Sequence, residues 1–126
     1  IMSSINDSAA VFEYVLAEEG DTNDRRLAGL PPHSLVINAT GLGKDRQGSP
    51  LSDQAVFPKE SLIWELNYRG DLRFLRQAMK QEESRQLTVH DGWVYFIHGW
   101  TQVIAEVFDI RIGPEQIGRL AKIASE

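Results

Sequence analysis

An α/β layer structure with a mostly parallel sheet is predicted on three observations. Short runs such as Leu35-Val36-Ile37 are apolar at successive positions, the pattern of a strand covered on both faces. They alternate with segments whose apolar residues recur every three and four positions, the period of helices lying on a sheet. The strand-like runs end in polar or glycine-bearing turns, Asn38-Ala39-Thr40-Gly41 and His90-Asp91-Gly92. In open parallel sheets ligands bind outside the carboxyl ends of the strands, so these turns are the first place to look for function.

The chain of 126 residues predicts one domain with a real core. Apolar residues at 42% and charged residues at 25% are values of an ordinary globular protein. With 13 Lys and Arg against 18 Asp and Glu, the net charge of −5 offers nothing to a phosphate backbone, which argues against nucleic acid as a partner. No apolar run is long enough for a membrane span, and the amino terminus lacks the basic-then-apolar layout of a secretory signal. The absence of cysteine excludes disulfides and thiolate metal sites and makes the cytoplasm the default location. Ile1 precedes Met2, which leads us to expect a start inside a longer gene product.

Taken in order, Ser3 to Ser8 is a polar lead-in, and Phe12-Glu13-Tyr14-Val15-Leu16-Ala17, rich in aromatic and branched residues, predicts a short strand. Thr22, Asn23 or Asp24 is a candidate cap for a short helix through Ala28, with Gly29 as its stop. Pro31-Pro32 then forbids helix and delivers the chain, extended, into Leu35-Val36-Ile37. Strand, helix, strand implies parallel pairing. Lys44 to Pro50 reads as a charged surface loop, and Ser52 or Asp53 starts a helical turn that Pro58 ends.

Leu62 to Tyr68 predicts the third strand, with Leu62, Trp64, Leu66 and Tyr68 on one face and Ile63, Glu65 and Asn67 on the other. Asp71 is a candidate cap for a helix to about Ser84, with Leu72, Leu75, Ala78 and Met79 on the sheet side and Arg73, Arg76, Gln77, Lys80 and Glu83 toward water. Leu87-Thr88-Val89 is a short strand, closed by His90-Asp91-Gly92. From Trp93 a long helix carries Trp93, Phe96, Ile97, Trp100, Val103, Ile104, Val107 and Phe108 on one wide apolar stripe, which needs a large surface to cover it. Gly113-Pro114-Glu115 starts a last helix, buried through Ile117, Leu120, Ala121 and Ala124.

The sum is about four strands alternating with helices, a Rossmann-like three-layer fold from which one part is missing. No G-x-G-x-x-G turn occurs, and Gly43-Lys44-Asp45 is no phosphate-binding loop because Asn38 and Asp45 replace its first glycine and its Ser or Thr. The fold is therefore read as truncated, its first βαβ unit and any cofactor fingerprint lying upstream of Ile1. His33, His90 and His98 lack the spacing of metal ligands, so no metal site is expected.

Asn38-Ala39-Thr40-Gly41-Leu42-Gly43, then Trp64-Glu65-Leu66-Asn67-Tyr68, then Asp91-Gly92 leading into the helix with Ile97-His98 resemble, in order and spacing, the carboxyl-terminal half of shikimate and quinate dehydrogenases over roughly residues 35 to 110. The resemblance implies that residues 1–126 are the distal part of a nicotinamide-cofactor domain, with the helices from about 93 to 126 packing toward a substrate domain outside this chain. It implies a parent enzyme that reversibly reduces 3-dehydroshikimate or a related cyclic ketone with NADP or NAD, the small-molecule partner being shikimate-like. By the same resemblance Asn38, Ala39, Thr40, Gly41 and Gly92 flank the nicotinamide, and Tyr68 and Gln102 approach the substrate. No catalytic residue is implied here, because the family's catalytic Lys and Asp belong to the absent domain, and this chain alone is expected to be inactive.

The chain departs from the family in two places. Gly99 stands where its helix has a substrate Gln, with Gln102 one turn on, and Tyr68-Arg69-Gly70 replaces Tyr-x-Pro. A stand-alone binding or assembly module that kept the layers and lost the chemistry is the other function class. An unpaired sheet edge leads us to expect self-association, with a homodimer as the simplest form.

Overall fold

The structure, a computed structural model, describes residues 11–17 and 20–125. In chain order the elements are α1 (Gly20–Ala28), β1 (Leu35–Asn38), β2 (Leu62–Glu65), α2 (Arg73–Met79), α3 (Glu82–Arg85), β3 (Thr88–His90), α4 (Trp93–Phe108) and α5 (Pro114–Ala124). The three strands form one open sheet in the order β1-β2-β3, parallel throughout. This is the short α/β, Rossmann-like sheet that the alternation of patterns predicts.

Register decides what each face does. Val36 pairs with Ile63, which pairs with Val89, so these three lie on one face. That face holds the core, where Phe57, Ile63, Phe74 and Ala78 are fully enclosed with Leu27 of α1, Leu51, Ala55 and Leu87. Phe57 and Phe74 meet edge to face with centroids 5.6 Å apart. The opposite face carries Leu35, Ile37, Leu62 and Trp64, and among the described residues only the first turns of α4 approach it, Tyr95 standing edge-on to Trp64 at 5.7 Å. On β2 the buried side is thus Ile63, Glu65 and Asn67, and the side with more apolar residues is the open one.

Several sequence expectations are corrected. Residues 12–17 form no strand; Glu13 pairs with Arg26, and the segment does not join the sheet of β1, β2 and β3 whose ladder a strand there requires. The described residues therefore hold three strands rather than about four. The polar lead-in expected over Ser3 to Ser8 lies outside the described residues. The strand expected from Leu62 to Tyr68 ends at Glu65, where the chain turns away to bond with the loop after β1. Residues 53–57 make a single turn and no helix.

The helix expected from Asp71 to Ser84 is two helices. Asp71 does not cap it: its carboxylate pairs with Arg76, and Leu72 holds the cap position with a left-handed φ of 45°. The break falls at Gln81, whose φ of −108° leaves the helical region, and the side chains on both sides of it bond to one neighbouring segment. Gln77 is buried rather than facing water, its amide donating to the carbonyl of Ser52 (2.9 Å) and accepting from the hydroxyl of Ser49 (2.7 Å). Gln81 donates to the carbonyl of Ala55 (2.8 Å) and accepts from the amide of Phe57 (3.2 Å), and Arg85 donates to the carbonyl of Phe57 (2.8 Å). Three polar side chains four residues apart thus satisfy the backbone of an irregular segment, 49–57, that closes one side of the core.

α4 and α5 pack on each other and leave much of their apolar surface uncovered. Ile97 and Thr101 are buried, yet Trp100 is 55% exposed and Phe108 69% exposed. In α5 no residue is buried; Leu120 and Ile123, the former expected inside, are exposed. Among the described residues no helix is long and apolar enough to cross a membrane.

Candidate functional site

The parallel register sets the carboxyl ends of the strands side by side, Asn38 opposite Glu65 and Trp64 opposite His90. Asn38 and Glu65 point to the core face, and both are buried, at 1% and 0% exposure. A buried carboxyl group must be hydrogen-bonded, and this one is. Asn38 Nδ2 donates to Glu65 Oε2 at 2.7 Å, and Glu65 Oε1 accepts from the amide N–H of Asn67 (2.8 Å) and from its Nδ2 (2.7 Å). Asn38 Oδ1 accepts from both the amide (3.1 Å) and the hydroxyl (2.7 Å) of Thr40. Asn67 Nδ2 donates onward to the carbonyl of Leu42 (3.1 Å). Burial pushes the Glu65 carboxyl above its ordinary range, and the hydrogen bonds from Asn67 and Asn38 oppose that shift.

This network is the hub of the edge, and sequence reasoning passed over Glu65. The signal was present in the alternation along β2, where an acid shares a face with Ile63. It was outweighed by the larger apolar count on the opposite face.

Gly92 joins the same edge from β3. Its amide donates to the carbonyl of Asn67 (3.1 Å), and a Cβ built there would stand 2.1 Å from the Leu66 oxygen, so only glycine lets α4 start so close to the strand. Asp91 Oδ1 then accepts from the amide of Trp93 (3.1 Å) at the helix start.

Tyr68 follows Asn67 and is half-buried against α4, its ring stacked on Phe96 at 3.7 Å and 16°. The loops 41–46 and 68–72 lock together beside it. Leu72 donates its amide to the carbonyl of Gly43 (3.0 Å), and Gly70, with φ of 95°, passes where a Cβ would lie 2.4 Å from that same oxygen.

Asn38, Ala39, Thr40, Gly41, Tyr68 and Gly92 are therefore brought to one edge of the sheet. They do not enclose one cavity. Asn38 and Thr40 line a groove of ≈ 290 Å³ against Leu27 of α1, whereas a larger groove, ≈ 590 Å³, lies on the open face between Trp64, His90, Val94, Tyr95 and His98. Gln102 is apart from all of these: it sits ten residues beyond Gly92, about 15 Å along α4, and donates to Glu106 (2.9 Å). Among the described residues no cluster of His, Asp or Glu could hold a metal ion.

The fold and this edge define a class: an α/β domain with a parallel sheet whose polar turns meet at its carboxyl end. No family model matches the chain, and neither the curated proteins nor the solved structures return a match.

Proposed function

We propose that the chain is the distal part of the cofactor domain of a nicotinamide-dependent oxidoreductase of the shikimate dehydrogenase type, acting on 3-dehydroshikimate or a related cyclic ketone. One observation carries the reading: three turns far apart in sequence, at Asn38–Gly41, Asn67–Tyr68 and Gly92, meet at adjacent carboxyl ends of a parallel sheet and are joined by hydrogen bonds through Glu65 and Asn67.

The edge also fits the group it would hold. The amides of Ala39 and Gly41 make no hydrogen bond within the described residues, and a Cβ at Gly41 would meet nothing within 4 Å. Backbone donors in open space are what a flat carboxamide-bearing ring needs. NADP or NAD would supply the hydride when bound, and this chain would orient the nicotinamide end through Ala39, Thr40, Gly41 and Gly92. Asn38 acts one step back, its side chain spent on holding Glu65 and Thr40. Tyr68 stands on the substrate side, and Gln102 has no place in this arrangement.

The competing reading, a binding or assembly module without chemistry, draws support from the same network, since Asn38, Glu65 and Asn67 satisfy one another rather than an outside ligand. Titration of the 126-residue chain with reduced nicotinamide mononucleotide, followed by amide NMR, separates the two. Saturable shifts at Ala39, Thr40, Gly41 and Gly92 are expected, without turnover of 3-dehydroshikimate. Silence at those four amides, or shifts confined to the groove at Trp64 and Tyr95, selects the module; turnover would place catalytic groups inside this chain.

A further inference from the structure

We propose that the solvent-facing seam of α4 at Trp100, Val103 and Val107 is a dimer interface, on which the same helix of a second copy of this chain packs antiparallel. The surface is separate from the ligand-facing edge, so the inference goes beyond the oxidoreductase reading and is tested apart from it.

Apolar residues recur along α4 at Trp93, Phe96, Trp100, Val103 and Val107, at spacings of three, four, three and four. That alternation is the line along which one helix packs lengthwise on another, crossing at about 20°. The first two members are used within the chain, Trp93 and Phe96 both meeting the Tyr68 ring. Of the rest of the apolar stripe, Ile97 is buried and Ile104 half-buried, and α5 lies alongside. Trp100, Val103 and Val107 nevertheless stay 55%, 52% and 71% exposed among the described residues. What is left outside is a narrow line, the width that a single helix covers.

Shape makes a second copy the occupant. Trp100 is the largest side chain of the exposed seam, and beside it a Cβ at Gly99 would meet nothing within 4 Å. Tyr95, Phe96, Gly99, Trp100 and Val103 line a groove of ≈ 300 Å³ there. A knob next to a notch on one helix is self-complementary. About a two-fold axis between residues 99 and 100, Trp100 of each copy enters the notch over Gly99 of the other, and Phe96 meets Val103.

Charge selects the direction. Glu106 is the single Asp, Glu, Lys or Arg of α4. Parallel copies would set Glu106 against Glu106, whereas the antiparallel axis holds the two about 20 Å apart along the helices, beyond the reach of screened charges. The exposed parts of Tyr95, Trp100, Val103 and Val107 come to roughly 400 Å² per copy, about half of one side of a standard interface. The dimer is accordingly a dissociable one.

The test is sedimentation equilibrium of the 126-residue chain between about 1 μM and 1 mM, the range in which such contacts form and dissociate. The mass should rise from 14.2 kDa toward twice that value. Trp100→Ala, checked for a dispersed amide spectrum, should weaken association about tenfold or more, because interfaces concentrate their binding in buried Trp. The chain has no cysteine, so a single one reports proximity. Gly99→Cys, next to the axis, should give a disulfide-linked dimer on oxidation under conditions where Gly118→Cys in α5 stays single; a Cβ meets nothing within 4 Å at either position. A chain that stays at 14.2 kDa throughout, and so keeps the seam for a different polypeptide, would overturn the proposal. So would equal linking at the two cysteine positions, or association that Trp100→Ala leaves intact and Leu35→Glu on the edge strand abolishes.

Discussion

Glu65 shows how much one residue carries. Its two oxygens accept three N–H donors from Asn38 and Asn67, and through them it fixes the turns after β1 and β2. Glu65→Gln would set an amide NH₂ against one of those donors, and leaving buried N–H groups unpaired costs about 1–3 kcal/mol. Thermal denaturation of the variant at neutral pH should show a loss of that size; an unchanged melting temperature would mean that the network is dispensable. The same residue sets a pH dependence. Burial holds the folded carboxyl above its ordinary value of 4.5, so the folded chain binds this proton more readily than the unfolded chain. Its contribution is fully present below the unfolded value and is lost as pH rises through the folded one. Stability should therefore decline from about pH 4.5 upward by this component, and Glu65→Gln should flatten that slope. Asp53 runs the other way: its hydrogen bond from Arg73 holds its carboxyl below 3.8, so what it contributes is lost only in stronger acid.

At the scale of elements, the two helices after β2 support one neighbouring segment together. Gln77, Gln81 and Arg85 point at segment 49–57, and their side chains replace the backbone partners that a regular element would have supplied. Gln77→Ala leaves the carbonyl of Ser52 and the hydroxyl of Ser49 without these bonds, at a cost of about 1–3 kcal/mol. Limited proteolysis should then cut within 49–57 before any other part of the core, and cleavage elsewhere would show that Gln77 is not the clamp. α4 presents the opposite case. Glu106 is its single Asp, Glu, Lys or Arg, and a helix so apolar belongs inside something. Among the described residues its first turns find cover from Trp64 and Tyr68 and the rest has α5 beside it, with Trp100, Val103, Val107 and Phe108 left exposed.

For the molecule as a whole, the described residues fill one face of the sheet and leave the other open. Leu35, Ile37, Val107 and Phe108 are among the large side chains left exposed. Both β1 and β3 are also edge strands. Apolar surface of this extent drives association, so light scattering should return a mass above 14.2 kDa that grows with concentration. Replacing Val107 and Phe108 by Glu should lower it, and a clean monomer before any substitution would remove the case for a homodimer.

Local pattern determined the layers. A run such as Leu35 to Ile37 or the stripe from Trp93 to Phe108 states its own period, because helix and strand periodicity is written in nearest neighbours. The polar turns at Asn38–Gly41 and Asp91–Gly92 were legible for the same reason, being residue types that end strands and start helices. Tertiary structure alone decided the rest. Which face of β2 is buried depends on the register against β1 and β3, which put the smaller apolar face inward and made Glu65 the hub. Whether residues 12–17 become a strand depends on a ladder partner, and whether Gln77 is buried depends on a segment more than twenty residues away. The meeting of Lys44 with Arg69 over one ring is likewise a product of two loops docking, which no spacing in the chain encodes.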